Sequence, residues 1–298
     1  MLDILITATL LFASTDCTGE GATWLKERQE LLWVDINAGM LHRYNPVDGK
    51  VEDNQLPEMI TSIIPVRGKP DDVVLAMKNR LVVYNLKKHS YHHLAEVDTR
   101  GPQWRTNDCK CSPYGTIWCG VMRMTDQNQT GWVTSVDAQG HSTMILDKQS
   151  IPNGVVWNEQ THKLYYADSG RRCIEEYSYT DDGSIKYERI AVKVPSEYGV
   201  PDGMTIDADG RLWVAHWGGY GVYVWNPQTG NLEGKVEVPV PNVASCTFGA
   251  NDKLYITTAR DGLSKTDLEK YPQSGGLFVA EVKGVSPGEN HYPVRIRR

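Results

Sequence analysis

Glu20, Asn107, Asn153 and Asp202 are residues of the kinds that hold hard cations and move protons, and they recur at one position of a repeat. Each opens a short apolar strand, eleven to thirteen residues before a β-rich anchor. If the repeats are arranged radially, the four side chains converge on one axis. Two carboxylates facing each other across a narrow channel repel, and a divalent cation resolves that repulsion. Oxygen-only ligands suit Ca²⁺, Mg²⁺ or Mn²⁺, and three protein ligands leave positions open for substrate and water. A lone channel asparagine is ordinarily a water-facing residue; this set of four is harder to explain as solvation. Glycine follows three of the axial residues, in Glu20-Gly21, Asn153-Gly154 and Asp202-Gly203. Glycine allows close approach of backbone and metal. Proline precedes two of them, at Pro152 and Pro201, and stiffens the approach.

The repeat itself is carried by six anchors: Leu32-Trp33-Val34, Val74-Leu75-Ala76, Ile117-Trp118-Cys119, Leu164-Tyr165-Tyr166, Leu212-Trp213-Val214 and Leu254-Tyr255-Ile256. Their centres are 42, 43, 47, 48 and 42 residues apart. A period in the forties without helical patterning is a propeller signature. Each anchor has a short strand before it and another after it. Turns such as Asp48-Gly49, Asp182-Gly183 and Thr229-Gly230 supply hairpin chemistry. About four strands fit in each repeat. The expected fold is all-β, a six-bladed β-propeller with about four antiparallel strands per blade. Ser62 (or Thr61) and Ser245 take the axial position in the other two repeats.

The 298 residues are expected to form a single domain, because no linker interrupts the repeats. The apolar run Ile4–Ala13 lacks a basic n-region, carries Asp3 instead and is too short to span a membrane. Residues 1–14 are therefore expected to be a strand that joins the last blade and closes the ring, removing exposed edges. Residues 283–298 read as a frayed C-terminal tail ending in a basic tip, Arg295 to Arg298. The formal charge of −6 argues against nucleic acid or an anionic membrane as partner. None of the six cysteines forms a C-x-x-C pair, so they read as buried, reduced thiols of a cytoplasmic protein. Asn128-Gln129-Thr130 is a glycosylation sequon that matters only in a secreted chain.

Five segments together resemble the senescence-marker-protein/gluconolactonase/luciferin-regenerating-enzyme, or regucalcin-like, family. They are Gly19-Glu20-Gly21-Ala22-Thr23-Trp24, Arg105-Thr106-Asn107-Asp108, Pro152-Asn153-Gly154, Pro201-Asp202-Gly203-Met204 and Ala259-Arg260-Asp261-Gly262-Leu263. The resemblance runs from about residue 17 to 282, nearly the whole chain. It implies a hydrolase that opens sugar lactones, with one divalent ion (calcium, magnesium, manganese or zinc) near the propeller axis. By position it implies Glu20, Asn153 and Asp202 as metal ligands, Arg105 and Asn107 as substrate contacts, and Asp202 as general base. The partner it implies is a small sugar lactone. It says nothing of oligomeric state.

No G-x-S-x-G elbow, H-E-x-x-H, P-loop or G-x-G-x-x-G offers rival machinery. His216 lies just past an inner strand, where it either reaches the channel or packs. The chain departs from the family beside the implied pocket. Thr106 and Cys109 replace a usual aromatic and a usual glycine. Thr125, with Asp126 after it, falls where the family carries a substrate-contacting glutamate on a longer loop. Two other classes remain open from sequence: a metal-dependent phosphotriesterase or esterase, and a non-catalytic calcium-binding propeller.

Overall fold

The computed structural model describes residues 4–125 and 127–296. The β-branched and aromatic anchors form the second strand of each of six antiparallel blades. The blades begin on the inner strands Gly19–Leu25, Ile60–Pro65, Trp104–Cys111, Pro152–Asn158, Val200–Ile206 and Val243–Phe248. Each inner strand packs on the next, and the sixth packs back on the first, so the six surround one channel. The expected β-propeller is what the chain forms. Among the described residues helix is confined to Lys265–Lys270 and two short 3₁₀ turns. None is long and apolar enough to cross a membrane.

One irregularity repeats around the ring and positions the site. Every inner strand slips register at its axial residue: between Glu20 and Thr23, Ile60 and Ser62, Thr106 and Cys109, Pro152 and Val155, Pro201 and Met204, and Val243 and Ser245. A bulge re-aims a side chain that the strict in–out alternation would bury between blades. Here it offers the axial side chains to the channel. The glycines beside them serve this geometry. A Cβ on Gly154 would sit 2.7 Å from the Asp202 carbonyl oxygen. One on Gly203 would sit 2.9 Å from the Ala244 carbonyl oxygen. These contacts are with the next blade's inner strand. Gly21 instead adopts φ +63°, a conformation that glycine takes without a Cβ penalty.

The N-terminal segment closes the ring, with one difference from expectation. It divides at buried Ala8. Thr9–Phe12 adds antiparallel to Leu277–Glu281 as the fourth strand of the last blade. Ile4–Thr7 runs parallel to Leu232–Glu237 on the fifth. The segment therefore staples two blades.

The C-terminal segment also differs from expectation: up to Val294 it is not frayed. The Gly288 N–H donates to the Ile206 carbonyl at 3.0 Å, and the Val294 N–H to the Pro65 carbonyl at 2.9 Å. Lys110 Nζ, buried in the channel, donates to the Met204 carbonyl and to Asn290 Oδ1, both at 3.1 Å. His291 meets Thr247 Oγ1 at 2.8 Å. The segment thus crosses the channel's far end. The last two arginines of the basic tip lie outside the described residues.

Candidate active site

At the opposite end the channel opens into a cavity of about 250 Å³. Glu20, Arg105, Asn107, Asn153 and Asp202 all line it. Residues from four blades, spread over more than 180 positions, are brought together because each sits at a bulge on its own inner strand.

Asn107, Asn153 and Asp202 are buried, and Glu20 is half-buried. The amides have defined orientations. Arg105 Nη1 donates to Asn107 Oδ1 at 2.6 Å. Asn107 Nδ2 donates to the Pro152 carbonyl at 2.7 Å and to Asn153 Oδ1 at 3.0 Å. Asn153 Nδ2 donates to Ser169 Oγ at 2.7 Å, and that hydroxyl donates to the Pro201 carbonyl at 2.6 Å. Each link of this rail sets a donor against an acceptor, which fixes the amide orientations. Each amide oxygen accepts one hydrogen bond and keeps a second lone pair: the Asn107 oxygen is paired with the cationic Arg105, the Asn153 oxygen with the neutral Asn107 amide.

The carboxylates are in the opposite condition. Among the described residues Glu20 Oε2 accepts its neighbour's N–H alone, from Gly21 at 2.9 Å. Asp202 Oδ1 is buried with no hydrogen-bond partner among the described residues. Burial, then the nearby Asp108 carboxylate, pushes the Glu20 carboxyl up to about 8. Burial, then Glu20, raises Asp202 well above the usual carboxylate range. The two carboxyls act on one another, each shifting the other. Burial lowers the Arg105 pKa, against the pull of Glu20, Asp202 and Asp261. An orphaned carboxylate oxygen, a second starved carboxylate and a free amide lone pair fit one hard divalent cation held by Glu20, Asn153 and Asp202.

The remaining sequence candidates lie elsewhere. Ser62 braces the third blade's bulge: its hydroxyl donates to the Asn107 carbonyl at 3.1 Å and accepts the Cys109 N–H at 2.8 Å. Thr106 is fully buried and bonds Thr61 Oγ1 at 2.7 Å and the Met77 carbonyl at 2.7 Å, so it joins blades rather than shaping the cavity. Cys109 is buried opposite Cys119 on the neighbouring strand. All six cysteines are unpaired thiols. His216 is a packing residue. It stacks on Tyr223, meets the Tyr198 carbonyl through Nδ1 at 2.7 Å and accepts the Trp225 indole N–H at 3.2 Å. Burial holds its pKa down to about 3. Thr125 does not line the cavity, Gln127 does, and Asp126 lies outside the described residues.

Sequence reasoning missed Ser169, Trp217 and Asp261, which also line the cavity. Ser169 follows the fourth blade's second strand, and only the fold brings it under Asn153. Asp261 stands in one of the five segments quoted above, but without an evident role.

Residues 18–260 match the SMP-30/Gluconolactonase/LRE-like region. The chain belongs to this family. It is 33% identical over 282 residues to regucalcin of Xenopus laevis, covering 90% of this chain and 93% of the relative. It is 31% identical over 268 residues to YvrE of Bacillus subtilis (strain 168), named provisionally as a sugar lactone lactonase, covering 89% and 91%. Among solved structures it is similar to a luciferin-regenerating enzyme, with TM-score 0.90 and 28% identity over 98% of this chain and all of the other. A regucalcin from Agrobacterium tumefaciens str. C58, described as a calcium-binding protein, superposes with TM-score 0.89. At 23% identity over 98% of each chain, that likeness speaks for the fold alone.

Proposed function

We propose that this chain is a divalent-metal-dependent hydrolase that opens the ester bond of a sugar lactone to give the sugar acid. One observation carries the reading: half-buried Glu20 beside buried Asp202, whose Oδ1 has no hydrogen-bond partner among the described residues, at the floor of an open cavity. Family membership and the name of the Bacillus relative support the lactone as substrate.

Glu20, Asn153 and Asp202 would hold the cation. When bound, it would polarise the lactone carbonyl or acidify a water. Asp202 takes the proton of the attacking water, its two oxygens dividing the ligand and base roles. Arg105 presents guanidinium donors to the carbonyl oxygen or a sugar hydroxyl. Asn107 spans the two groups: its oxygen aims Arg105, and its amide hydrogens aim Asn153.

Arg105 cannot be a metal ligand, since guanidinium has no lone pair to offer. Arg105→Ala is therefore expected to leave metal affinity nearly intact while lowering kcat/KM for lactone. A loss of ~2–3 kcal/mol of transition-state contact is roughly 30- to 150-fold. An unchanged kcat/KM on every lactone tried would remove Arg105 from the substrate site. Ser169 acts through Asn153. Ser169→Ala is expected to weaken metal binding about 10-fold, within the span usual for residues behind a ligand. Ser169→Thr, which restores a hydroxyl, is expected to recover most of it. Equal affinity in wild type and Ser169→Ala would show that the hydrogen-bond rail is idle.

Residues 1–298 would form one domain, since the N-terminal segment is hydrogen-bonded to blades five and six and the C-terminal segment to blades two and five. The protein would also be cytoplasmic, consistent with thiols such as Cys246, pushed up to about 12 by burial and so unreactive.

A further inference from the structure

Asp261 sits on the loop after the sixth blade's second strand, at the mouth of the candidate site. Its backbone is held from two sides. Its N–H donates to the Cys17 carbonyl at 2.8 Å, and its carbonyl accepts Asn242 Nδ2 at 2.9 Å. Its side chain is exposed and makes no ion pair among the described residues. The neighbouring Arg260 makes no ion pair with it among the described residues; Arg260 Nε donates instead to the Ser274 carbonyl at 2.9 Å. Yet the Asp261 charge reaches Arg105 at the cavity floor. An unpaired carboxylate on a backbone anchored at a cavity mouth puts a standing field on whatever passes.

The charges along the cavity decide what that field does. Glu20, Asp202 and Asp261 stand against Arg105. Deeper in the channel, Asp108 and Lys110 offset one another. One divalent cation brings the four described lining residues Glu20, Asp202, Asp261 and Arg105 to neutrality, which suits an uncharged ligand. Lactone hydrolysis changes the ligand's charge. Water's oxygen bonds to the acyl carbon, the ring C–O bond breaks, the ring oxygen leaves as a hydroxyl, and one proton goes to solvent. A neutral lactone enters and a carboxylate must leave.

We infer that Asp261 is a charge filter: it selects uncharged lactones over those bearing a phosphate or carboxylate, and it drives the acid product out. This rests on the lactonase reading for its substrate class. The test compares wild type with Asp261→Asn, which keeps shape and removes charge. Both are loaded with Mn²⁺, and D-gluconate binding is measured by calorimetry at about 20 mM and about 0.5 M salt. Asp261→Asn is expected to bind gluconate about 3- to 10-fold more tightly at low salt, the effect of one charge across several ångströms of partly aqueous space. The gap is expected to close at high salt. In parallel, the kcat/KM ratio of 6-phosphoglucono-1,5-lactone to glucono-1,5-lactone is expected to rise by a similar factor in the variant. Equal gluconate binding by the two proteins, a salt-independent gap, or no binding by either overturns the filter. If wild type hydrolyses no lactone but the salt-dependent gap appears, the lactonase reading fails while the charge effect stands.

Discussion

Asp202→Asn is expected to lower lactone turnover by at least about 10³-fold, within the span attributed to a lost general base and enlarged by the loss of a metal ligand. The same substitution is expected to stabilise the metal-free protein. Without metal, folding places two carboxylates in a buried channel where neither is adequately solvated. The sign of the pH effect follows. Glu20 has an ordinary value of 4.5 and is raised to about 8 in the fold. The folded chain therefore binds a proton that the unfolded chain has already released. Stability from this group is fully present below pH 4.5 and is lost as pH rises through about 8. Asp202, also raised, acts in the same direction. Chelated wild type should thus lose stability between about pH 5 and 8, and a divalent cation should restore more of it at the upper end. Asp202→Asn removes one charge and gives Glu20 an N–H to accept. It should gain about 1–2 kcal/mol at pH 8 over chelated wild type, as when buried charges are replaced. Asp209→Ala, at an exposed turn, serves as control and should change neither property. If Asp202→Asn and Asp209→Ala behave alike, the axial residues are not a site.

Deletion of residues 1–13 should have the largest effect on the fold. Thr9–Phe12 is the outer strand of the sixth blade, and Ile4–Thr7 extends the fifth. Phe12 lies edge-on to Trp33 of the first blade, with ring centroids 6.3 Å apart. Removing the segment exposes two strand edges and strips a phenyl ring from the first blade's core. A loss of at least about 3 kcal/mol is expected, comparable to truncating one buried aromatic. Bared edges should also pair between molecules. Denaturant unfolding and light scattering measure both. A truncated protein that stays monodisperse with an unchanged midpoint would show that the ring does not need this closure.

The sequence made the repeat legible because a blade cannot bury its faces alone. Each one therefore restates a Trp, Tyr or branched anchor at nearly constant spacing. The axial residues were legible for the same reason, as positions within that repeat. What lies between blades was not. Gly154 and Gly203 read as room for a metal, and nothing in the sequence says that they also make room for a neighbouring strand. The division at Ala8 has no local signal, since an apolar run looks the same whether it serves one blade or two. The segment through Asn290 and His291 looked like a tail because its partners, Lys110 and Thr247, are remote in sequence. Ser169 and Asp261 belong to the site only through contacts that a linear pattern cannot display.

The central claim is that a cation at Glu20, Asn153 and Asp202 makes this propeller a lactonase. Its most direct test is a lactone panel assayed after exhaustive chelation and stepwise return of Ca²⁺, Mg²⁺, Mn²⁺ or Zn²⁺. Aryl esters and organophosphates are included for comparison. The expected result is turnover of an aldonolactone that chelation abolishes and one equivalent of a divalent ion restores, above any rate on the esters. Lactone turnover indifferent to chelation would contradict the account. So would metal-restored activity confined to the esters, or metal binding without turnover of any substrate.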